Sequence, residues 1–261
     1  MSKLDVLIDM FFKELPWEKR VKEIARAGYQ YIETWQGQDA AVLKTMQAAG
    51  RDCGVDLVSI VINSAKEDQV APIRAENLAR FLEQVDRCAD NALAAGCRQG
   101  IVTTGQAVPG RSAADQRQAL VAALQAAADK ISGRGFRINL EPLNTVVDHV
   151  GYFLDDPLEG LAIVREVARP DVRLLYDVYH MTIMRGNQTV LIEEQLDLIG
   201  HFHAAGTPGR HEPFDGEFNY PFLLRRLESA GYDRYIGLEY KPSLPPQESL
   251  ARSLEYLRCR D

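Results

Sequence analysis

The sequence lacks most of the features that announce a partner or a compartment. Its four cysteines, Cys53, Cys88, Cys97 and Cys259, form no C-x-x-C pair and no metal-ligand spacing. That excludes a zinc ribbon and a dithiol redox motif and leaves buried or incidental thiols. Long apolar runs are missing as well. In MSKLDVLIDMFFKELPWEKR the apolar stretches are broken by Asp5, Asp9 and Lys13, too short for a signal-peptide core or a membrane span, so the expected location is the reducing cytoplasm. Lys and Arg are scattered through a chain of formal charge −7. No basic stripe exists to neutralise a phosphate backbone, and neither nucleic acid nor membrane is an expected partner. The acidic surplus itself identifies nothing, because a solvated acidic surface is ordinary. Finally, no G-x-G-x-x-G and no P-loop follows the first strand-like segment, so the usual nucleotide site of an open α/β sheet is absent.

What the chain does contain is a regular alternation. Its 261 residues are 46% hydrophobic and 26% charged, enough for a sizeable core. Short β-branched or apolar runs alternate with longer amphipathic stretches, the pattern of βα units around a parallel sheet. Eight segments read as strands: VLID (6–9), YIETW (31–35), DLVSIVI (56–62), GIVTT (100–104), RINLE (137–141), RLLYD (173–177), GHFH (200–203) and YIGLEY (235–240). The first helix is predicted to start at Pro16 and stop near Gly28, burying Val21, Ile24 and Ala25. Another is predicted from Ser112, as cap, to Ile131, with Gly133 as the stop and Leu120, Ala123, Leu124 and Ala127 on one face. No Gly/Ser linker or charge block marks a boundary, so residues 1–261 are expected to form one domain. Eight βα units fit an open sheet or a closed ring. The missing nucleotide motifs favour the closed (β/α)₈ barrel.

Four potential ligands end four successive predicted strands: Glu141, Asp177, His203 and Glu239, separated by 36, 26 and 36 residues. The carboxyl ends of barrel strands form the catalytic rim. Singly, each has an ordinary structural reading, an acid capping the next helix or a His as a polar neighbour. Together, three carboxylates in one small space repel one another unless a cation compensates. Three carboxylates and one imidazole without a thiolate make a mostly oxygen shell for one divalent ion, Mn²⁺ first, Mg²⁺ or Co²⁺ otherwise. His201, two residues before His203, is expected on the same face one layer deeper, as packing or support. Pro142 holds Glu141 extended, and E-P-L-N brings Asn144 into the adjoining loop. His180 follows Asp177 by three residues, and GTPGRHEP carries Arg210 and His211 over the same rim.

The segment from EPLN through DVYH and HFHAAGTPGRHEPFDGEFNY to IGLEYKP, roughly residues 136–242, resembles the hydroxypyruvate isomerase family of the xylose-isomerase-like barrels, and more loosely the ketose 3-epimerases. The resemblance implies a divalent ion on Glu141, Asp177, His203 and Glu239, the two glutamates doubling as acid and base, and His180 and Arg210 near the substrate. An ion on the carbonyl and neighbouring hydroxyl would stabilise an enediolate, so that one glutamate takes a proton and the other delivers one. Delivery to the adjacent carbon is aldose–ketose isomerisation, and delivery to the opposite face of the same carbon is epimerisation. The expected substrate is a small hydroxy-carbonyl compound. Hydroxypyruvate interconverting with tartronate semialdehyde, or a related 2-oxo sugar acid, comes first because Arg210 can pair with a carboxylate, and a neutral ketose 3-epimerase is the alternative. A multi-metal phosphodiesterase needs further His ligands from earlier strands, and none of the five His precedes His149. A catalytically silent sugar-binding barrel is compatible with the fold, as is a homo-oligomer.

Overall fold

The computed structural model describes residues 3–259. Eight parallel strands close into a barrel in chain order: β1 (Lys3–Leu7), β2 (Tyr31–Thr34), β3 (Asp56–Val61), β4 (Gln99–Val102), β5 (Arg137–Leu140), β6 (Val172–Asp177), β7 (Ile199–Ala204) and β8 (Tyr235–Leu238), with β8 pairing back onto β1. Around it run α1 (Trp17–Arg26), α2 (Ala40–Cys53), α3 (Leu78–Ala94), α4 (Ala113–Ile131), α5 (Pro157–Val167), α6 (Val178–Met184), α7 (Gln188–Glu194), α8 (Tyr220–Ser229) and α9 (Pro246–Arg258). The strands are buried on both faces, one filling the barrel and the other meeting the helices, which is why they read as near-continuous apolar runs. In β7 the rings of His201 and His203 lie 5.1 Å apart, while Phe202 between them packs against Tyr232 at 5.0 Å. No helix among the described residues is long and apolar enough to cross a membrane.

Local chemistry sets the element ends. Asp39, Ser112, Asp156 and Asn219 accept backbone N–H groups at the starts of α2, α4, α5 and α8, satisfying donors that a helix leaves free there. Pro16, predicted to begin the first helix, is instead its cap residue, the helix starting one place later at Trp17, and its carbonyl accepts from Lys19 and Arg20. Strand β1 lies earlier than predicted. Residues Ile8–Met10 turn into a 3₁₀ segment, and Asp9 leaves the sheet to accept from Thr34 Oγ1 (2.7 Å), Trp35 N (3.0 Å) and Gln36 Nε2 (2.7 Å). Strand β8 stops at Leu238, short of the predicted Tyr240, leaving Glu239 just past its end.

Candidate metal centre and substrate cavity

The four predicted ligands come together at the carboxyl end of the barrel. Glu141 follows β5, Asp177 ends β6, His203 is the last residue but one of β7, and Glu239 follows β8. One ligand atom from each lies within 4.8 Å of the others, and all four residues are buried. His203 Nδ1 is 2.8 Å from Glu239 Oε2, 3.6 Å from Glu141 Oε1 and 3.9 Å from Asp177 Oδ2. Even so, this nitrogen makes no hydrogen bond of acceptable direction among the described residues. Asp177 combines both sequence readings. Its Oδ1 caps α6 by accepting from His180 N (3.2 Å), while its Oδ2 faces the cluster.

The electrostatics are frustrated. Burial pushes Glu141 up to about 7 against the pull of His203, and Asp177 up to about 6 against the pull of Arg210. Burial also raises Glu239, but Arg210 and then His203 outweigh it and hold this carboxyl at about 2. For His203, burial opposes a charge, yet Glu33 and Glu239 lift it well above its ordinary range. An orphaned buried nitrogen among three crowded carboxylates of unlike proton affinity is a donor set that a hard divalent cation satisfies. The residues therefore fit the ion.

Above the cluster is a cavity of about 450 Å³, lined on one side by Glu141, Glu239, His180 and Arg210 and on the other by Trp35, Asn63 and Lys66. A larger recess of about 800 Å³ lies at the opposite end of the barrel, lined by Arg51, Arg98 and Arg137, away from the four ligands. In the rim cavity, His180 Nδ1 accepts from Asn144 N (3.2 Å), which leaves the ring proton on Nε2. Nε2 is 3.5 Å from Asp177 Oδ2, has no hydrogen-bond partner among the described residues and belongs to a fully buried ring. The Asn144 amide oxygen holds Val147 N and Asp148 N, so the E-P-L-N loop carries His180.

Arg210 lies at the rim as expected, with φ 58° in the left-handed region. Its Nη2 is 2.9 Å from Glu239 Oε2 and 3.7 Å from Asp177 Oδ2, and its plane lies over Tyr179 at 5.3 Å. The guanidinium is thus already engaged with two of the predicted ligand carboxylates. His211, expected over the same rim, turns away, its Nδ1 2.8 Å from Lys241 O. The loop is pinned instead by Glu212, fully buried, which accepts from Ser243 N (2.9 Å), Ser243 Oγ (2.8 Å) and Ser249 Oγ (2.8 Å). Sequence reasoning gave Glu212 no role, although GRHEP contains it. It also passed over Glu33, which sits 2.9 Å from His203 Nε2. Glu33 occupies the same kind of place in YIET as the ligands do in their strands, and that is the signal that could have found it.

A closed parallel barrel with an acid-rich rim defines a class, and comparison narrows it. The chain belongs to the xylose isomerase-like TIM barrel family, whose model matches residues 21–259. It is 28% identical over 261 residues to the 2-oxo-tetronate isomerase of Pectobacterium atrosepticum, covering 96% of each chain. It is 32% identical over 246 residues to a Homo sapiens protein named "Putative hydroxypyruvate isomerase", covering 89% of this chain and 86% of that one. A crystal structure described as AP endonuclease, family 2, from Brucella melitensis superposes with a TM-score of 0.89 at 30% identity, covering 98% of this chain and 99% of that one. With isomerases as its relatives over most of its length, the chain is an enzyme of the isomerase kind.

Proposed function

We propose that this enzyme interconverts the aldehyde and ketone forms of a small 2-oxo acid, hydroxypyruvate with tartronate semialdehyde or a 2-oxo-tetronate with its isomer, in a reaction that depends on one divalent ion. The observation that carries the reading is the convergence of Glu141, Asp177, His203 and Glu239 beneath a cavity that also receives His180 and Arg210. The names of the relatives support the substrate class.

A divalent ion held by Glu141, Asp177, His203 and Glu239 would supply Lewis acidity to the substrate's carbonyl, with Mn²⁺ the first choice and Mg²⁺ or Co²⁺ also suited to the donor set. The protein does the rest. Glu141 and Glu239, three strands apart on the ring, flank the substrate. One takes the proton from the hydroxyl-bearing carbon, the hydroxyl proton passes to the former carbonyl oxygen, and the other glutamate returns a proton to the former carbonyl carbon. Nε2–H of His180, without a hydrogen-bond partner among the described residues, donates to a substrate oxygen. Arg210 balances the negative charge around Glu239 and Asp177 and lies where a substrate carboxylate would arrive. We place this activity in a single barrel unit spanning residues 1–261, in the cytoplasm, without nucleic-acid or membrane partners.

The test is solvent-proton exchange. Protein supplied with Mn²⁺ is incubated in heavy water with hydroxypyruvate, 2-oxo-tetronates, tetruloses and hexuloses, the substrates are then separated from the metal, and deuterium incorporation is read by NMR. The expected result is exchange and interconversion with a 2-oxo acid. Faster turnover of a neutral ketose with inversion at one carbon would replace this reading with ketose 3-epimerase, and no exchange with any of them would favour a silent sugar-binding barrel.

A further inference from the structure

Beneath the ion-binding layer runs a ladder of polar side chains that the isomerase reading leaves unused. On the inner face of the barrel Asn139 Nδ2 donates to Gln99 Oε1 (3.3 Å), Gln99 Nε2 faces His201 Nδ1 (3.4 Å), and His201 Nε2 lies 3.0 Å from Glu33 Oε2. All of them are buried. A carboxylate only accepts, so His201 carries its proton on Nε2, and its Nδ1 accepts from the Gln99 amide, whose oxygen is taken by Asn139. The direction of the ladder is fixed from below: amide, amide, imidazole, carboxylate. The second oxygen of Glu33, Oε1, is 2.9 Å from His203 Nε2, close enough to pair, and neither atom has a hydrogen-bond partner of acceptable direction among the described residues. Two imidazoles therefore present Nε2 to one carboxylate.

Space for this arrangement comes from β8. A Cβ on Gly237 would stand 2.4 Å from Glu33 Oε1 and 2.9 Å from His203 Cδ2, so only glycine lets both side chains occupy this layer.

From this geometry we infer that Glu33 is a positioning residue for the metal centre: it keeps the Nε2 proton of His203 and so reserves Nδ1, with its lone pair, for the ion shared with Glu141, Asp177 and Glu239. The inference rests on the one-ion reading above and adds to it the residue that sets the ligand's tautomer and ring orientation. Partners of this kind typically change metal affinity by about 10- to 100-fold when removed. The ladder below explains why Glu33 cannot rotate away to serve His203 alone, because its other oxygen is committed to His201.

The experiment measures Mn²⁺ affinity by electron paramagnetic resonance titration against a competing chelator, for wild type and Glu33→Gln, with thermal unfolding recorded alongside. The expected result is binding weakened about 10- to 100-fold in a folded variant. A folded variant that loses thermal stability while binding Mn²⁺ as wild type does would overturn the role of Glu33 and make it a packing residue. If wild type binds no ion at all, the one-ion reading fails and this inference falls with it. A second measurement does not depend on the variant folding: ¹⁵N NMR of histidine-labelled wild type loaded with Mg²⁺. There His203 is expected to show a slowly exchanging proton on Nε2 and a bound Nδ1. A proton on Nδ1, or an ion on Nε2, would contradict the inference.

Discussion

Polar residues just past the strand ends are treated differently in the two halves of the barrel rim. Beyond β1 and β3, Asp9 and Asn63 are satisfied within the protein. Asp9 accepts three hydrogen bonds from the last residue of β2 and the two that follow it, and Asn63 exchanges bonds with the Thr103 backbone and hydroxyl. At the ends of β5 to β8 the polar residues converge on one another instead, and the imidazole nitrogen at their centre has no hydrogen bond. Asp9 and Glu239 occupy comparable places, an acid just past a strand. One is a structural clamp and the other a candidate ligand, and what separates them is whether the neighbours provide donors.

The largest effect expected from this contrast comes from Glu239→Gln, which keeps the shape and an oxygen but cannot take a proton. Solvent-proton exchange should fall by at least about 10²-fold in a folded protein. Asp9→Ala is its counterpart at the other half. It should lower stability by about 1–3 kcal/mol through three stranded donors while exchange is retained. Exchange lost by the Asp9 variant, or kept by the Glu239 variant, would erase the distinction between the halves.

Next in size is Arg210, which bridges the frustrated half. If it receives a substrate carboxylate, Arg210→Ala should cost about 10- to 150-fold in kcat/KM on a 2-oxo acid and far less on a neutral ketose, with Arg210→Lys between them because it keeps the charge and loses the fork. Equal losses on both substrates would assign the residue to balancing Glu239 and Asp177, the contacts it makes here.

Gly237→Ala probes the floor beneath the ligands. The added methyl meets Glu33 Oε1 at 2.4 Å, Asp5 Oδ1 at 2.7 Å and His203 Cδ2 at 2.9 Å, atoms of buried side chains with little freedom to yield. Overpacking of this kind costs about 1–3 kcal/mol, to be read from chemical denaturation, and Mn²⁺ binding should weaken in parallel. A stability loss with unchanged binding would separate the floor from the centre.

The smallest effect concerns the loop after β7. Burial raises the Glu212 carboxyl, but the Ser243 and Ser249 hydroxyls and the Leu244 N–H outweigh it and hold it below its ordinary value. A depressed folded value means that the stabilisation is complete above about pH 4.3, the unfolded value, and is lost as pH falls through the folded one. Acid unfolding of wild type should therefore steepen below that pH relative to Glu212→Gln, which has no such carboxyl to protonate.

Much of this was legible in the sequence because barrel strands, buried on both faces, stand out as apolar runs, and because Glu141, Asp177, His203 and Glu239 recur at the βα spacing. The ends of β1 and β8 were not legible. Whether Asp9 stays in the sheet depends on donors from Thr34, Trp35 and Gln36, which are distant in sequence. Glu33 was missed for a related reason. It lies inside an apolar run and its partners, His201 and His203, are 168 and 170 residues away, so only the closed ring brings them together. His211 and Glu212 were exchanged in importance, since alternation along a loop cannot say which side chain faces inward.

One measurement bears most directly on the account. Protein purified with Mn²⁺ supplied and excess metal removed is subjected to elemental analysis, for wild type and for His203→Ala. One tightly held divalent ion per wild-type chain, lost from the variant, is the expected result. No ion, or two ions per chain with the second on Glu33, His201 and His203, would contradict the reading of the rim as a single-ion centre supported from below by a carboxylate.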